Sequence, residues 1–107
     1  MSKNYLLILN ATDKNRFNCV LWAREKVASL PFGLWTITDK RKIINSNNPK
    51  AGSVAIIKTG FIWGHVAVVV KVGSNHITIK EANFKYGKIT ERHGTEKDLK
   101  IVGYFKP

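Results

Sequence analysis

Apolar positions along this chain recur with a helical period first and a strand period afterwards. From Cys19 to Leu30 the residues Cys19, Trp22, Ala23, Val27 and Leu30 fall at i, i+3, i+4, i+8 and i+11, one face of a helix. Asn18 suits its N-cap, because a short polar side chain can accept from unpaired N–H groups of the first turn. Pro31 and Gly33 end it. Residues 13–18 are polar and read as a loop closing onto the helix. Over residues 34–48 the pattern is mixed. Thr38 or Asp39 offers a cap for a short helix to about Asn45, and a loop follows to Gly52. From there Ser53–Lys58, His65–Val72, His76–Glu81, Tyr86–Thr90 and Lys100–Phe105 are short, rich in Val, Ile and aromatics, and separated by Gly, Asn and Ser. Helices first and a meander of about five strands afterwards predict an α+β fold, with the helical segment packed on an antiparallel sheet.

Length and charge narrow this picture without naming a chemistry. At 107 residues the chain, 1–107, is read as a single domain. No apolar run approaches the roughly 18 residues of a membrane span. The apolar stretch in MSKNYLLILN falls short of the roughly 7–15 residues of a signal peptide. The expectation is a monomer made in the cytoplasm without a recognisable signal. Eighteen Lys and Arg against seven Asp and Glu give a net charge of +11, scattered along the chain. Such a charge favours polyanionic partners: nucleic acid, anionic lipid or a bacterial envelope polymer.

The cysteine changes the picture more. One cysteine excludes an internal disulfide and offers no Cys-rich metal spacing, so neither a metal nor another cofactor is expected. A lone Cys is commonly a small core hydrophobe. Cys19, however, falls in the first turn of a helix, where the dipole favours a thiolate. Cysteine hydrolases also need an imidazole and a group that orients it. His65 opens an apolar strand. Glu81 shares side-chain parity with Ile77, Ile79 and Asn83, and an acid on an apolar face needs a partner.

Hairpin register decides whether these residues meet. If Val72 and His76 flank a turn at Gly73, Ser74 and Asn75, or an equivalent bulge intervenes, His65 lies opposite Asn83 and Ala67 opposite Glu81. All three polar side chains then project to one side. A turn at Gly73 and Ser74 alone would place His65 opposite Ala82, away from Glu81.

At this point the residues resemble the CHAP family of cysteine, histidine-dependent amidohydrolases and peptidases. Asn18, Cys19, Trp22, Ala23 and Arg24 resemble its nucleophile motif. Pro49, Gly52, Ser53, Val54 and Ala55 resemble its Pro-x-x-Gly-Asp-Val-Ala strand entry. Gly64, His65, Val66, Ala67, Val68 and Val69 match its histidine motif, and Glu81, Asn83 and Phe84 resemble its Glu-x-Asn-Tyr segment. Gly103, Tyr104 and Pro107 resemble its close. The motifs stand in the family's order over roughly residues 15–107. Two positions depart from it: Ser53 replaces the common Asp, and Asn18 the usual Gln.

The resemblance implies a papain-like fold, with Cys19 as nucleophile and His65 as general base and acid. Glu81 would orient the imidazole and Asn83 support it, while Asn18 would share an oxyanion site with the N–H of Cys19. It implies hydrolysis of peptidoglycan amides, either between muramic acid and L-Ala or within stem peptides and cross-bridges. Delivery to the wall would come from a holin, a virion or a secretion system. Trp63, Trp35 and Tyr86 are candidate walls of a substrate groove, whereas Trp22 and Tyr104 read as core and no role is assigned to His76 or His93. A nucleic-acid-binding domain would explain the charge but not the ordered motifs. A CHAP-like amidase acting on glutathionyl-polyamine conjugates fits the motifs, but the basic surface argues against a cationic substrate.

Overall fold

The computed structural model describes residues 4–9, 11–59 and 62–107. Along the chain run β1 (Tyr5–Leu9), α1 (Cys19–Lys26), α2 (Ile37–Lys42), β2 (Val54–Ile57), β3 (His65–Gly73), β4 (His76–Ala82), β5 (Ile89–Gly94), α3 (Glu96–Leu99) and β6 (Ile101–Phe105). The strands form one antiparallel sheet of six in the order β1-β5-β4-β3-β2-β6. The fold is α+β, with one strand more than the sequence pattern marks. Met1–Lys3 and Asn10 of the N-terminal stretch, and Gly60 and Phe61 of the loop before Trp63, lie outside the described residues. No helix among the described residues is long and apolar enough to cross a membrane.

α1 is shorter than its apolar period. Pro31 disfavours a helical Leu30, and the helix already stops at Lys26 with Val27 as its C-cap. Arg24 donates to the carbonyls of Leu30 and Pro31 and so holds the exit turn. The predicted face survives: Trp22, Ala23, Val27 and Leu30 are all buried. They pack with Leu34 against Val54, Ile56, Val66, Val68, Ala82 and Ile89 on one side of the sheet. Eight residues make a marginal helix alone, so this packing holds it in place. The opposite side of the sheet buries Ala55, Ile57, Ala67, Val69, Ile77, Ile79 and Tyr104 under Leu99 of α3. β2 is buried along its whole length, which explains its unbroken apolar run.

Several boundaries differ from the sequence reading for local reasons. α2 is capped by Thr36, not by Thr38 or Asp39; Asp39 instead returns a bond to the Thr36 N–H in a capping box. The strand expected at Tyr86–Thr90 begins at Ile89 and runs to Gly94, taking in His93. Residues 83–88 close into a loop, with Asn83 N–H donating to Lys88 and Gly87 N–H to the Asn83 side chain. β1 has no alternating pattern and exists by pairing with β5. Ser53, at the family's Asp position, is buried and its hydroxyl donates to the Lys50 carbonyl at 2.6 Å.

The β3–β4 hairpin reaches the required register by the second of the expected routes. Its turn has two residues, Ser74 and Asn75, because Gly73 pairs with His76 and Val72 with Ile77. An extra residue at Val70 then shifts the register, and Val69 pairs with Ile79 and Val68 with Lys80. Counted onward in that register, Ala67 falls opposite Glu81. Asn83 lies just beyond β4 in the left-handed conformation (φ 64°), outside the strand's alternation.

Gly64 delivers His65 to its place. Its φ of 68° lies in the left-handed region, and a Cβ built there would stand 2.7 Å from Cδ1 of Ile37. Gly33 has a similar φ of 79° with nothing within 4 Å. Gly33→Ala should therefore lose only the conformational term, about 1–2 kcal/mol. Gly64→Ala should lose distinctly more and depress activity as well. Urea midpoints of the two variants check this, and equal losses would contradict the Ile37 contact.

Candidate active site

Cys19 is the first residue of α1, and the Asn18 side chain that caps the helix accepts from the Val20 and Leu21 N–H groups, both at 3.0 Å. Asn18 Oδ1 is therefore committed to the helix, leaving its Nδ2 as the donor available to a substrate. Cys19 is half-buried, and its side chain bonds to His65, the first residue of β3.

His65 is fixed from behind. Its Nε2 lies 2.9 Å from Oε1 of Glu81, which leaves Nδ1 to exchange a proton with the thiol. Glu81 is 0% exposed and, among the described residues, accepts from His65, Thr90 and Arg92. Arg92 donates Nε to Oε2 and Nη2 to Oε1, each at 2.8 Å, and Thr90 donates its hydroxyl to Oε2 at 3.1 Å. The Arg92 guanidinium also lies 3.6 Å from the Phe84 ring centroid, and that ring contacts His65.

Neither Arg92 nor Thr90 was read from the sequence as a site residue. The signal was present, since a buried carboxylate calls for a cation on a neighbouring strand. Register was what it lacked. Thr90 pairs with Glu81 and Arg92 with Ile79, a pairing visible only once β5 is known to start at Ile89.

These groups titrate as a unit. Burial opposes protonation of His65, but its bonds to Cys19 and Glu81 and their charges outweigh it and raise its pKa from 6.5 to about 9. Burial pushes the Cys19 thiol up, yet the hydrogen bond and charge of His65, with help from the Val66 N–H and Lys40, leave it below 9.0. Burial likewise pushes Glu81 up, and Arg92 with His65 holds it below 4.5. The arrangement thus favours an ion pair of thiolate and imidazolium, backed by a carboxylate.

The pair lies in a cavity of about 390 Å³. Trp35 (73% exposed) and Trp63 (56% exposed) form part of its walls, with Asn18, Asn83 and Phe84. Tyr86 is 82% exposed and stands further out, its ring 5.4 Å from that of Phe17, itself a lining residue. The structure thus brings Cys19, His65 and Glu81 into one relay and Trp35 and Trp63 to its cavity. Asn83 also lines the cavity, but its Oδ1 is taken by the Gly87 N–H. Lys40, read from the sequence only as one of many scattered cations, is a buried member of the same wall.

Comparison with known protein families matches residues 10–83 to the CHAP domain. Among solved structures, crystal structures of Ly7917 with the hydrolyzing product of MDP and of Ly7917 without it are similar, each 25% identical, with TM-scores of 0.49 and 0.48. Each alignment covers 58% of this chain and 29% of the neighbour, so the chain corresponds to under a third of that protein. No curated protein matches.

The charge network around Glu81 should dominate local stability. Arg92→Met strips the guanidinium from a buried carboxylate, leaving it the His65 imidazole and the Thr90 hydroxyl, and should cost about 3–5 kcal/mol. Thr90→Val removes one bond to it and should cost about 1.5–3 kcal/mol. Because Glu81 titrates below 4.5 when folded, its contribution is complete above that pH and lost as pH falls through the folded value. Urea denaturation of both variants across acid pH checks the ranking and the window.

Proposed function

This chain belongs to the CHAP family, and from that premise we propose that it hydrolyses amide bonds of bacterial peptidoglycan through a Cys19 thioester. The observation that carries the reading is the relay from Cys19 through His65 to the buried Glu81 carboxylate, set in a cavity walled by exposed tryptophans. The Cys19 thiolate adds to the amide carbonyl carbon, and the carbonyl electrons move onto oxygen. As the first helical residue, Cys19 has a backbone N–H without an intrahelical acceptor, and this N–H receives the oxyanion with Asn18 Nδ2 beside it. Collapse breaks the C–N bond while the His65 imidazolium protonates the leaving nitrogen. Water then gives a proton to the same imidazole and attacks the thioester, releasing the acid and restoring the thiolate.

The substrate is either the bond between muramic acid and L-Ala or an amide of the stem peptide or cross-bridge. Trp35, Trp63 and, further out, Tyr86 would support the flanking sugar or peptide, and Asn83 would shape the cavity through its loop. The charge of +11 would hold the chain on wall polymers bearing phosphate and carboxylate. Delivery would come by a holin, a virion or a secretion system.

Digestion of purified peptidoglycan, followed by mass spectrometry, tests the reaction. Wild type should release fragments that Cys19→Ala does not, and their masses name the bond; the same fragments from both would sink the proposal. The pH profile supplies an independent check. The competent pair needs His65 protonated, so kcat/KM should hold through neutral pH and fall as pH rises through about 9.

A further inference from the structure

Lys40 sits on α2 where a lysine is costly: it is 2% exposed. Its Nζ lies 2.9 Å from the carbonyl oxygen of Leu34, 3.2 Å from that of Trp35 and 2.7 Å from that of Trp63. A neutral amine has only two N–H donors, whereas an ammonium has three. Three acceptors at bonding distance therefore fit the charged form. The contacts also join separate stretches of chain, because Leu34 and Trp35 precede α2 while Trp63 leads through Gly64 into His65.

Among the described residues this ammonium forms no ion pair with a carboxylate. The ionisable groups it senses are Cys19 and Asp39, and Asp39 is already bonded to the Thr36 N–H in the α2 cap. Lys40 and Cys19 line the same cavity. Building on the cysteine-hydrolase reading of this site, we propose that Lys40 is a positioning residue of the reaction. Its ammonium ties the Trp35 wall to the Trp63 wall and holds a fixed positive charge towards the Cys19 thiolate. The influence is mutual: burial lowers the Lys40 pKa and Cys19 draws it back up, while Lys40 in turn helps to lower that of the thiol. An oxyanion formed on the attacked carbonyl would develop in the same cavity, so the charge would serve the addition step as well as the resting thiolate.

Cys19 faces His65 from β3 and Lys40 from α2, with Glu81 of β4 and Arg92 of β5 acting through His65. Substituting Lys40 alone leaves the other four in place. The pH dependence of Cys19 alkylation by iodoacetamide reads the thiolate directly, and a merely structural lysine would not move it. In Lys40→Met and Lys40→Gln the acid limb of alkylation should move to higher pH, with the rate at neutral pH falling about 3–10-fold. Lys40→Arg, which keeps the charge, should restore the profile. On peptidoglycan, kcat/KM of Lys40→Met should fall about 10–100-fold, because the walls lose their tie.

An unchanged alkylation profile in a folded Met or Gln variant, judged by circular dichroism, would overturn the proposal. Failure of both variants to fold would reduce Lys40 to a structural clamp and overturn it equally. Alkylation needs no wall substrate. A wild type that leaves peptidoglycan intact would therefore count against the proposed substrate and not against the role of Lys40.

Discussion

The Glu81 carboxylate is fully buried, and the strands around it supply its hydrogen-bond partners. An ionised carboxylate offers about four lone-pair sites. Here four donor atoms occupy them: Nε2 of His65, Nε and Nη2 of Arg92, and the Thr90 hydroxyl. Burying such a charge unpaired would cost several kcal/mol even after relaxation. Any register that separated Glu81 from β3 on one side or β5 on the other would incur that penalty. Strand pairing and imidazole orientation thus meet in one interaction, and the same carboxylate joins Cys19 in raising the His65 pKa to about 9.

The bulge at Val70 follows from this constraint. Continued without interruption, the pairing of Gly73 with His76 and Val72 with Ile77 would bring Val68 opposite Glu81. A shift of one residue sends every side chain to the other face, and His65 would then point away from the acid. The extra residue, Val70, is exposed, so the irregularity falls at the surface and not in the core. A small local loss of pairing is outweighed by satisfying a buried charge.

The thiol depends less on its helix than its position suggests. A helix terminus contributes about 0.3–1 kcal/mol at exposed sites, and α1 has only eight residues. The hydrogen bond and charge of His65, with the Val66 N–H and the charge of Lys40, outweigh the burial of Cys19. What α1 supplies is placement, since its apolar face packs on the sheet and sets its first turn at the start of β3. Gly64 completes that placement from the other side by bringing the chain past Ile37 into His65.

The α+β class, the buried face of α1, the Asn18 cap and the central strands were legible because each follows from local periodicity or capping chemistry within a short window. So was the pairing of His65 with Glu81, given parity and a hairpin with an irregularity in it. β1 could not be read, because an edge strand of Leu and Ile without alternation exists only through its pairing with β5. Arg92 and Thr90 stayed hidden because the loop at residues 83–88 sets where β5 begins, and that loop is closed by contacts between its two ends. Lys40 was one basic residue among many until folding buried it against three carbonyls from two stretches of chain. By itself the sequence determined the α+β class, α1 with its cap and the central strands, and it marked Cys19, His65 and Glu81 as candidates, since these depend on neighbours along the chain. Tertiary structure alone decided how Glu81 is neutralised and which cation flanks the thiol, because a buried charge finds its partners by proximity in space.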